Sequence, residues 1–139
     1  MTSFEVGMGS GYGAALAREM VGSKGKVVTV EIDEVTYDFG KRNLERLCYE
    51  DVVAILGDGS LGYEQGSPYD KISITAVCRE LPRELVDQLK VNGKMIGPIG
   101  SSQFQELVLF QKVSVTDVRT KYLENVFFVP LKGKYSPVY

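Results

Sequence analysis

The chain has 139 residues, of which 44% are hydrophobic and 24% charged, and its formal net charge is −2. These values are typical of one soluble globular domain, and the weak negative charge argues against a nucleic-acid partner. Because the sequence has no histidine, the commonest metal ligand and general base are both missing, and we expect no metal. No apolar run reaches membrane-spanning length, so we expect a cytoplasmic protein with no membrane partner.

Predicted strands and helices alternate along the whole chain with short connections. In order, we predict strands at 1–6, 26–32, 52–56, 71–76 and 94–99, helices at 11–21, 34–47 and 81–90, and two further strands at 105–113 and 125–129. The last two have no helix-length segment between them, so we expect an antiparallel pair. The pattern predicts a single α/β domain over 1–139, a doubly wound and mainly parallel sheet with helices on both faces.

The stretch 4–13 is predicted to be the end of a buried strand, a glycine-rich turn and the first turn of a helix. Glycine at positions 7, 9 and 11 allows backbone conformations and close ligand approach that a Cβ would prevent. A strand, a glycine turn and a helix N-terminus form the nucleotide-binding corner of doubly wound sheets. The two cysteines, Cys48 and Cys78, lie in no paired motif, and we interpret both as reduced thiols in or near the core.

Three strand ends are expected to meet at one edge of such a sheet: Gly7–Gly11, Glu31 and Asp58–Gly59. Glu31 can accept hydrogen bonds from a ribose diol, and Asp58 from an adenine amino group, with Gly59 leaving room for the ring. Glu5, inside the first strand, is a candidate for orienting an ammonium group or the loop amides. Each residue also has a plainer interpretation, since Glu31 can simply be solvated and Asp58 can be a turn residue.

The residue at position 12 decides between nucleoside ligands. The dinucleotide fingerprint G-x-G-x-x-G requires glycine there, but this chain has Tyr12. We expect the bulky side chain to narrow the space for a pyrophosphate, which favours adenosine with a short amino-acid tail, as in S-adenosylmethionine. A nicotinamide-binding module stays open as a disfavoured alternative.

Several motifs resemble those of the protein-L-isoaspartate O-methyltransferases, over nearly the whole chain. They are Glu5-Val6-Gly7-Met8-Gly9-Ser10-Gly11-Tyr12, Val30-Glu31-Ile32-Asp33, Gly57-Asp58-Gly59-Ser60, Tyr69-Asp70-Lys71-Ile72, Thr75-Ala76 with Pro82, and Phe128-Val129-Pro130-Leu131-Lys132-Gly133. The first motifs are common to many class I methyltransferases, whereas the last two are more particular to this family.

The resemblance implies methyl transfer from S-adenosylmethionine to the α-carboxylate of isoaspartyl residues in damaged proteins, leaving S-adenosylhomocysteine as product. The methyl ester then collapses to a succinimide, which allows repair to aspartate. It also implies a C-terminal strand pair in an order exchanged relative to most class I methyltransferases. The implied cofactor-binding residues are Glu5, Gly7, Met8, Gly9, Ser10, Gly11, Glu31, Ile32, Asp58, Gly59 and Thr75. The implied substrate-side residues are Ala76, Val129, Pro130, Leu131 and Lys132.

One departure from the family pattern concerns the first residues. Relatives carry a substantial segment before the first glycine motif, including a loop with a hydroxyl residue beside the reacting carboxylate, and that residue would lie upstream of Met1. We therefore assign no catalytic residue, expect an N-terminally truncated domain with weak or absent activity alone, and expect the uncovered sheet face to favour a homo-oligomer. A noncatalytic S-adenosylmethionine-binding domain and a class I methyltransferase with another substrate remain alternatives.

Overall fold

A computed structural model describes residues 1–137 of the chain. The helices and strands are β1 (Thr2–Val6), α1 (Tyr12–Val21), β2 (Lys26–Glu31), α2 (Glu34–Arg46), β3 (Val53–Leu56), β4 (Tyr69–Ile74), α3 (Arg83–Gln88), β5 (Leu89–Gly100), β6 (Gln105–Lys112) and β7 (Val118–Asn125), with 3₁₀ turns at Gly59–Leu61 and Glu64–Gly66. Within residues 1–137, no helix is long and apolar enough to cross a membrane.

The strands form one seven-stranded sheet in the order β3-β2-β1-β4-β5-β6-β7. β3, β2, β1, β4 and β5 run parallel to one another, and β6 and β7 complete the sheet as antiparallel strands. The order reverses at β1 and β4, because the chain builds outward from β1 in one direction and from β4 in the other. This confirms the predicted doubly wound sheet with an antiparallel C-terminal part.

The sheet is buried by helices on both faces, and each face has its own apolar cluster. On one face, Phe4 and Val28 pack in a cluster with Leu85 of α3. On the other, Val27 packs in a cluster with Leu44 of α2 and with residues of α1. Successive β2 side chains thus enter opposite clusters, which explains why that strand is a continuous β-branched run and not an alternating one.

The face that carries α1 and α2 is covered over β1–β3 but less so over β5 and β6. Three apolar side chains on that part are only partly buried: Ile96, Leu107 and Leu109. On α1, a row spaced by four residues is largely exposed: Tyr12 at 75%, Leu16 at 50% and Met20 at 80%. Together these six residues form what we call the open face. Because Tyr12 points to solvent, its expected role in narrowing the ligand site is wrong.

The prediction for α3 and β5 is wrong at their junction. The helix was expected over 81–90 and the strand over 94–99, but the helix ends at Gln88 and the strand begins at Leu89. Leu89 is buried and pairs with Tyr69, which requires an extended backbone there. The next pair is Lys71 with Lys94, so the intervening β5 residues form a bulge with Asn92 at φ 70°.

The last strand was also placed wrongly, at 125–129. β7 instead spans Val118–Asn125, and its burial pattern is exposed almost throughout. An edge strand of this kind is built from polar residues on both faces, and it therefore lacks the apolar pattern used to find strands. The apolar residues 126–129 lie beyond the sheet and lead the chain across the carboxyl ends of its strands.

Both cysteines are free, but only one lies in the core. Cys78 is buried, and burial raises its pKa to about 12. Cys48 is exposed just beyond the end of α2 at φ 65°, so its predicted place in or near the core is wrong.

Candidate active site

A groove of about 750 Å³ lies at the carboxyl ends of β1, β2 and β4. Six predicted cofactor-binding residues line it: Gly7, Gly9, Glu31, Ile32, Gly59 and Thr75. All five predicted substrate-side residues line the same groove: Ala76, Val129, Pro130, Leu131 and Lys132. The two groups of predicted residues, which come from distant parts of the sequence, therefore share one cavity.

The glycine loop after β1 is held tightly against its neighbours. Gly7 has φ 93° and donates its N–H to the Val30 carbonyl at 2.9 Å, and Gly9 has φ 55°. The Thr75 hydroxyl donates to the Val6 and Gly7 carbonyls at 2.8 and 2.9 Å. A Cβ at Gly7 would collide with this hydroxyl oxygen, so only glycine fits between the two strand ends.

The Glu31 carboxylate is fixed at the groove by backbone amides. One oxygen accepts from the Gly9 N–H at 3.0 Å, and the other from the N–H groups of Ile32 and Asp33 at 3.1 and 3.2 Å. An ionised carboxylate has about four acceptor sites, so it can still accept hydrogen bonds from a ligand diol. Glu31 thus joins the glycine loop to the end of β2 and presents an acceptor to the groove.

Glu5 does not line the groove. It is buried under α1, where its carboxylate accepts from the Thr29 hydroxyl at 2.6 Å and would meet a Cβ placed at Gly13. Burial raises the pKa of Glu5 to about 7, partly offset by the Thr29 hydrogen bond, with a further small increase from the Glu31 charge. Any effect of Glu5 on a ligand is therefore exerted through the loop above it.

Asp58 also lies outside the lining. Its carboxylate accepts from the Ser60 N–H and hydroxyl at 3.0 and 2.6 Å, and from the Lys134 N–H at 2.9 Å. It therefore ties the turn containing Gly59 to the C-terminal part of the chain. Gly59 itself fits closely on β1, since an added Cβ would lie 2.7 Å from Val6 Cγ1.

Three more of the predicted cofactor-binding residues are absent from the lining. Met8 is buried in the core beneath α2, and its N–H donates to the Val30 carbonyl at 3.2 Å. Gly11 is the N-cap of α1 and packs on Leu44. Ser10 is exposed, and its hydroxyl accepts weakly from the Tyr12 N–H at 3.4 Å. These residues shape the loop rather than the wall of the groove.

The lining also contains Asp33, Thr36 and Ser136, which were not predicted as site residues. Asp33 was predicted only as an N-cap, and it does cap α2, accepting from the Thr36 N–H at 3.0 Å and hydroxyl at 2.7 Å. These hydrogen bonds lower the Asp33 pKa. Because Asp33 lies two residues after Glu31, at the same strand end, its place in the groove could have been predicted from the sequence. The place of Ser136 could not, because only folding brings the C-terminal part of the chain to the groove.

Residues 129–136, which we call the strap, run along one side of the groove. The Val77 N–H donates to the Val129 carbonyl at 2.9 Å, and the Leu131 N–H returns to the Val77 carbonyl at 3.0 Å. Further on, the Tyr135 hydroxyl donates to Glu84 of α3 at 2.7 Å. With the Lys134 ammonium also bonded to it, the Glu84 carboxyl has its pKa lowered to about 2.

The chemistry available in the groove is limited. Its charged groups are Glu31, Asp33 and Lys132, and the remaining lining is mostly apolar or glycine. Among residues 1–137, no group of three or more acidic or cysteine side chains could hold a metal ion. The arrangement can bind a polar ligand at the β2 end and shield an apolar region beside the strap.

Comparison with known proteins identifies the family. The family model for protein-L-isoaspartate(D-aspartate) O-methyltransferase matches residues 1–136. The chain is 44% identical over 136 residues to a protein-L-isoaspartate O-methyltransferase of Methanococcoides burtonii, covering 98% of this chain and 66% of that protein. It is 48% identical over 133 residues to protein-L-isoaspartate O-methyltransferase 1 of Archaeoglobus fulgidus, covering 95% and 60%. The chain thus spans about 60 to 66% of the length of these curated relatives.

Solved structures give the same result. A protein-L-isoaspartate O-methyltransferase structure superposes with a TM-score of 0.92 at 37% identity, covering 97% of this chain and 43% of that one. A Plasmodium falciparum structure, described as a protein-L-isoaspartate O-methyltransferase in complex with S-adenosyl-L-homocysteine, gives a TM-score of 0.79 at 28% identity, covering 94% and 65%. With a family model over almost the whole sequence and the matching fold, this chain belongs to the protein-L-isoaspartate O-methyltransferase family.

Proposed function

We propose that the chain binds S-adenosylmethionine and serves in methylating the carboxylate of isoaspartyl residues in damaged proteins. The observation that carries the proposal is the groove shared by six of the predicted cofactor-binding residues and all five predicted substrate-side residues. In a family with this activity, such a cavity is suited to bringing a methyl donor and a peptide carboxylate together. The succinimide formed from the ester then returns the backbone to the normal linkage.

The residues present fit S-adenosylmethionine in both shape and charge. Gly7 and Gly9 line the groove without side chains, so the amino-acid end of S-adenosylmethionine can approach their backbone closely. Glu31 faces the groove as an acceptor for ribose hydroxyls, and Gly59 leaves a flat wall for the adenine ring. Asp58 holds that wall in place through Ser60, and we propose this indirect role for it.

The bound sulfonium supplies an electrophilic methyl group, so the protein has little acid–base chemistry to perform. A peptide carboxylate is ionised at neutral pH and needs no general base, which agrees with a sequence without histidine. The apolar side chains of Ala76 and Leu131 in the lining can exclude water from the carboxylate. We assign no catalytic residue.

Two measurements test the proposal. Calorimetry should show binding of S-adenosylhomocysteine and none of NAD, and a methylation assay should compare an isoaspartyl peptide with its aspartyl counterpart. Methylation of the isoaspartyl peptide alone supports the proposal, and we expect a slow rate for this chain. Cofactor binding with no isoaspartyl-dependent methylation at any enzyme concentration would favour the noncatalytic alternative, whereas methylation of both peptides would point to another substrate.

We also propose that the chain self-associates through the open face. The exposed α1 row and the partly buried side chains of β5 and β6 lie on the same face of the sheet, and exposed apolar side chains favour association. The cytoplasmic location remains part of the proposal, supported by two free cysteines.

A further inference from the structure

A second cleft, of about 290 Å³, opens between the β5–β6 turn and the residues that follow β7. Its rim carries two phenylalanines that are almost fully exposed, Phe104 at 82% and Phe127 at 80%. Ile99 and Val126 add apolar surface, and Glu106 lies at the edge. Exposing two phenylalanines at one site costs solvation free energy, which suggests that the site has an occupant.

The backbone beside this cleft, at residues 126–128, bonds to β6 on one side and has a free edge on the other. The Gln105 side chain mimics a neighbouring strand: its Nε2 donates to the Phe128 carbonyl at 3.0 Å, and its Oε1 accepts from the Phe128 N–H at 2.7 Å. The Val126 N–H donates to the Gln105 carbonyl at 3.1 Å. Residues 126 and 128 therefore face β6, and in an extended chain Phe127 faces the opposite way.

The main-chain N–H and C=O of Phe127 have no hydrogen-bond partner within residues 1–137. An extended peptide can pair with such an edge through its own backbone, while side-chain pockets beside the edge provide specificity. The free edge and the apolar cleft thus occur at the same residue.

The cleft and the active-site groove are lined by residues that lie close together along the chain. Val129, two residues after Phe127, lines the groove and is largely exposed. Extended chains advance about 3.3 Å per residue, so the two positions are at most about 7 Å apart. A peptide following this edge would pass from one cavity to the other within two or three residues.

We propose that the cleft receives an apolar or aromatic side chain of the substrate peptide, two or three residues from the isoaspartyl residue. The peptide backbone pairs with Phe127, and Phe104 and Phe127 enclose the side chain. This inference rests on the proposed function and adds to it a preference for apolar residues near the damaged site.

Binding of matched peptides tests the inference. Isoaspartyl peptides built from serine and glycine, with one phenylalanine placed two or three residues to either side, are titrated calorimetrically into the chain saturated with S-adenosylhomocysteine. We expect one placement to bind roughly tenfold more tightly than the phenylalanine-free peptide, the gain from burying one large apolar side chain.

The variants Phe104→Ala and Phe127→Ala should each remove most of that gain. Their affinity for S-adenosylhomocysteine and for the phenylalanine-free peptide should not change, because neither side chain lines the groove. Tyr122→Ala is the matched control, since Tyr122 is an exposed aromatic residue of β7 outside the cleft. It should leave every affinity unchanged.

Three results would overturn the inference in different ways. If all placements bind like the phenylalanine-free peptide, the cleft has no such role, while the proposed function stands. If no isoaspartyl peptide binds to the cofactor-saturated chain, the proposed function fails and the inference fails with it. Loss of self-association in Phe127→Ala, with equal affinity for all peptides, would make the cleft an interface between copies of the chain.

Discussion

Two side chains of the groove, Glu31 and Thr75, hold the glycine loop in place through hydrogen bonds to its backbone. Glu31 accepts from the Gly9 N–H, and Thr75 donates to the Gly7 carbonyl. Both side chains line the groove as well, so each can contact a ligand and fix the backbone that contacts it. Substituting either residue therefore changes both the contact with the ligand and the position of the loop backbone. Conservative variants are needed to separate these two effects.

Thr75 offers such a comparison. Thr75→Val removes the hydroxyl that donates to the Val6 and Gly7 carbonyls, and Thr75→Ser keeps it. We expect the valine variant to lose about 1 kcal/mol of unfolding free energy and several-fold affinity for S-adenosylhomocysteine. Denaturant unfolding and calorimetry measure the two quantities. A valine variant that unfolds and binds like the wild type would show that the hydroxyl does not hold the loop, whereas a serine variant as weak as the valine variant would show that the hydroxyl alone is not sufficient.

Glu5 should make stability depend on pH in the neutral range. Its pKa in the folded chain is about 7, above the ordinary 4.5, so the folded state binds more protons than the unfolded state between these values. The free energy of unfolding should therefore decrease as the pH rises from about 4.5 to 7, by up to roughly 3 kcal/mol, and then level off. Urea unfolding at pH 5 to 8 measures it.

The variant Glu5→Gln is the control for this effect. The glutamine oxygen can still accept from Thr29 but does not titrate, so the decrease between pH 5 and 7 should disappear. Asp33, Asp70 and Glu84 have lowered pKa values, so their stabilisation is lost only in more acidic solution. An equal slope in the wild type and the variant would mean that Glu5 is charged in the folded chain at pH 5.

Among the structural elements, the strap has the clearest link to ligand binding. Residues 129–132 of the strap line the groove. Beyond the groove, the strap is bonded to α3, where the Tyr135 hydroxyl donates to Glu84 and accepts from the Arg83 N–H at 3.2 Å. Glu84 and Arg83 belong to α3, which packs on the opposite face of the sheet from α1. The groove wall therefore depends on an element that does not touch the ligand.

Tyr135→Phe should weaken binding of S-adenosylhomocysteine about tenfold, because it removes a charge-assisted hydrogen bond of about 1.5 kcal/mol. The ring still packs in the core, so the fold should persist, and we expect the thermal unfolding midpoint to fall by only a few degrees. Calorimetry at neutral pH measures the affinity, with Tyr122→Phe as the exposed control. An unchanged affinity would show that the hydrogen bonds of Val77 alone hold the strap.

The sequence predicts the elements that bury apolar residues and misses those that do not. The β-branched run of β2 and the N-cap Asp33 were predicted correctly, since burial and capping leave local signals. β7 was missed because an exposed edge strand needs no apolar pattern. The groove was predicted from strand ends, but the hydrogen bond between Asp58 and Lys134 was not, because it joins residues distant in sequence.

On the scale of the whole molecule, the two faces of the sheet are not equally covered. The face with α3 contains the larger apolar cluster, whereas the other face is covered by α1 and α2 only over β1–β3. The open face is a consequence of this unequal coverage. If copies of the chain meet there, the oligomeric state should change when its residues are substituted.

Leu16→Glu tests association through the open face. Leu16 lies in the middle of the exposed α1 row, so a carboxylate there would be desolvated in an interface but solvated in a monomer. We expect sedimentation equilibrium to show dimers or larger assemblies for the wild type and a shift toward monomers for the variant. Val115→Ala, in the exposed β6–β7 connection, is the control. A wild-type chain that remains monomeric at high concentration contradicts the proposal.

The contrast between the two thiols makes site-selective labelling practical. Cys48 is accessible to a maleimide dye, whereas Cys78 is buried with its pKa raised to about 12 and should stay unmodified in the native protein. One fluorophore per molecule, attached at the end of α2, would allow anisotropy and energy-transfer experiments without engineered cysteines. Assembly of copies could then be followed at concentrations too low for sedimentation.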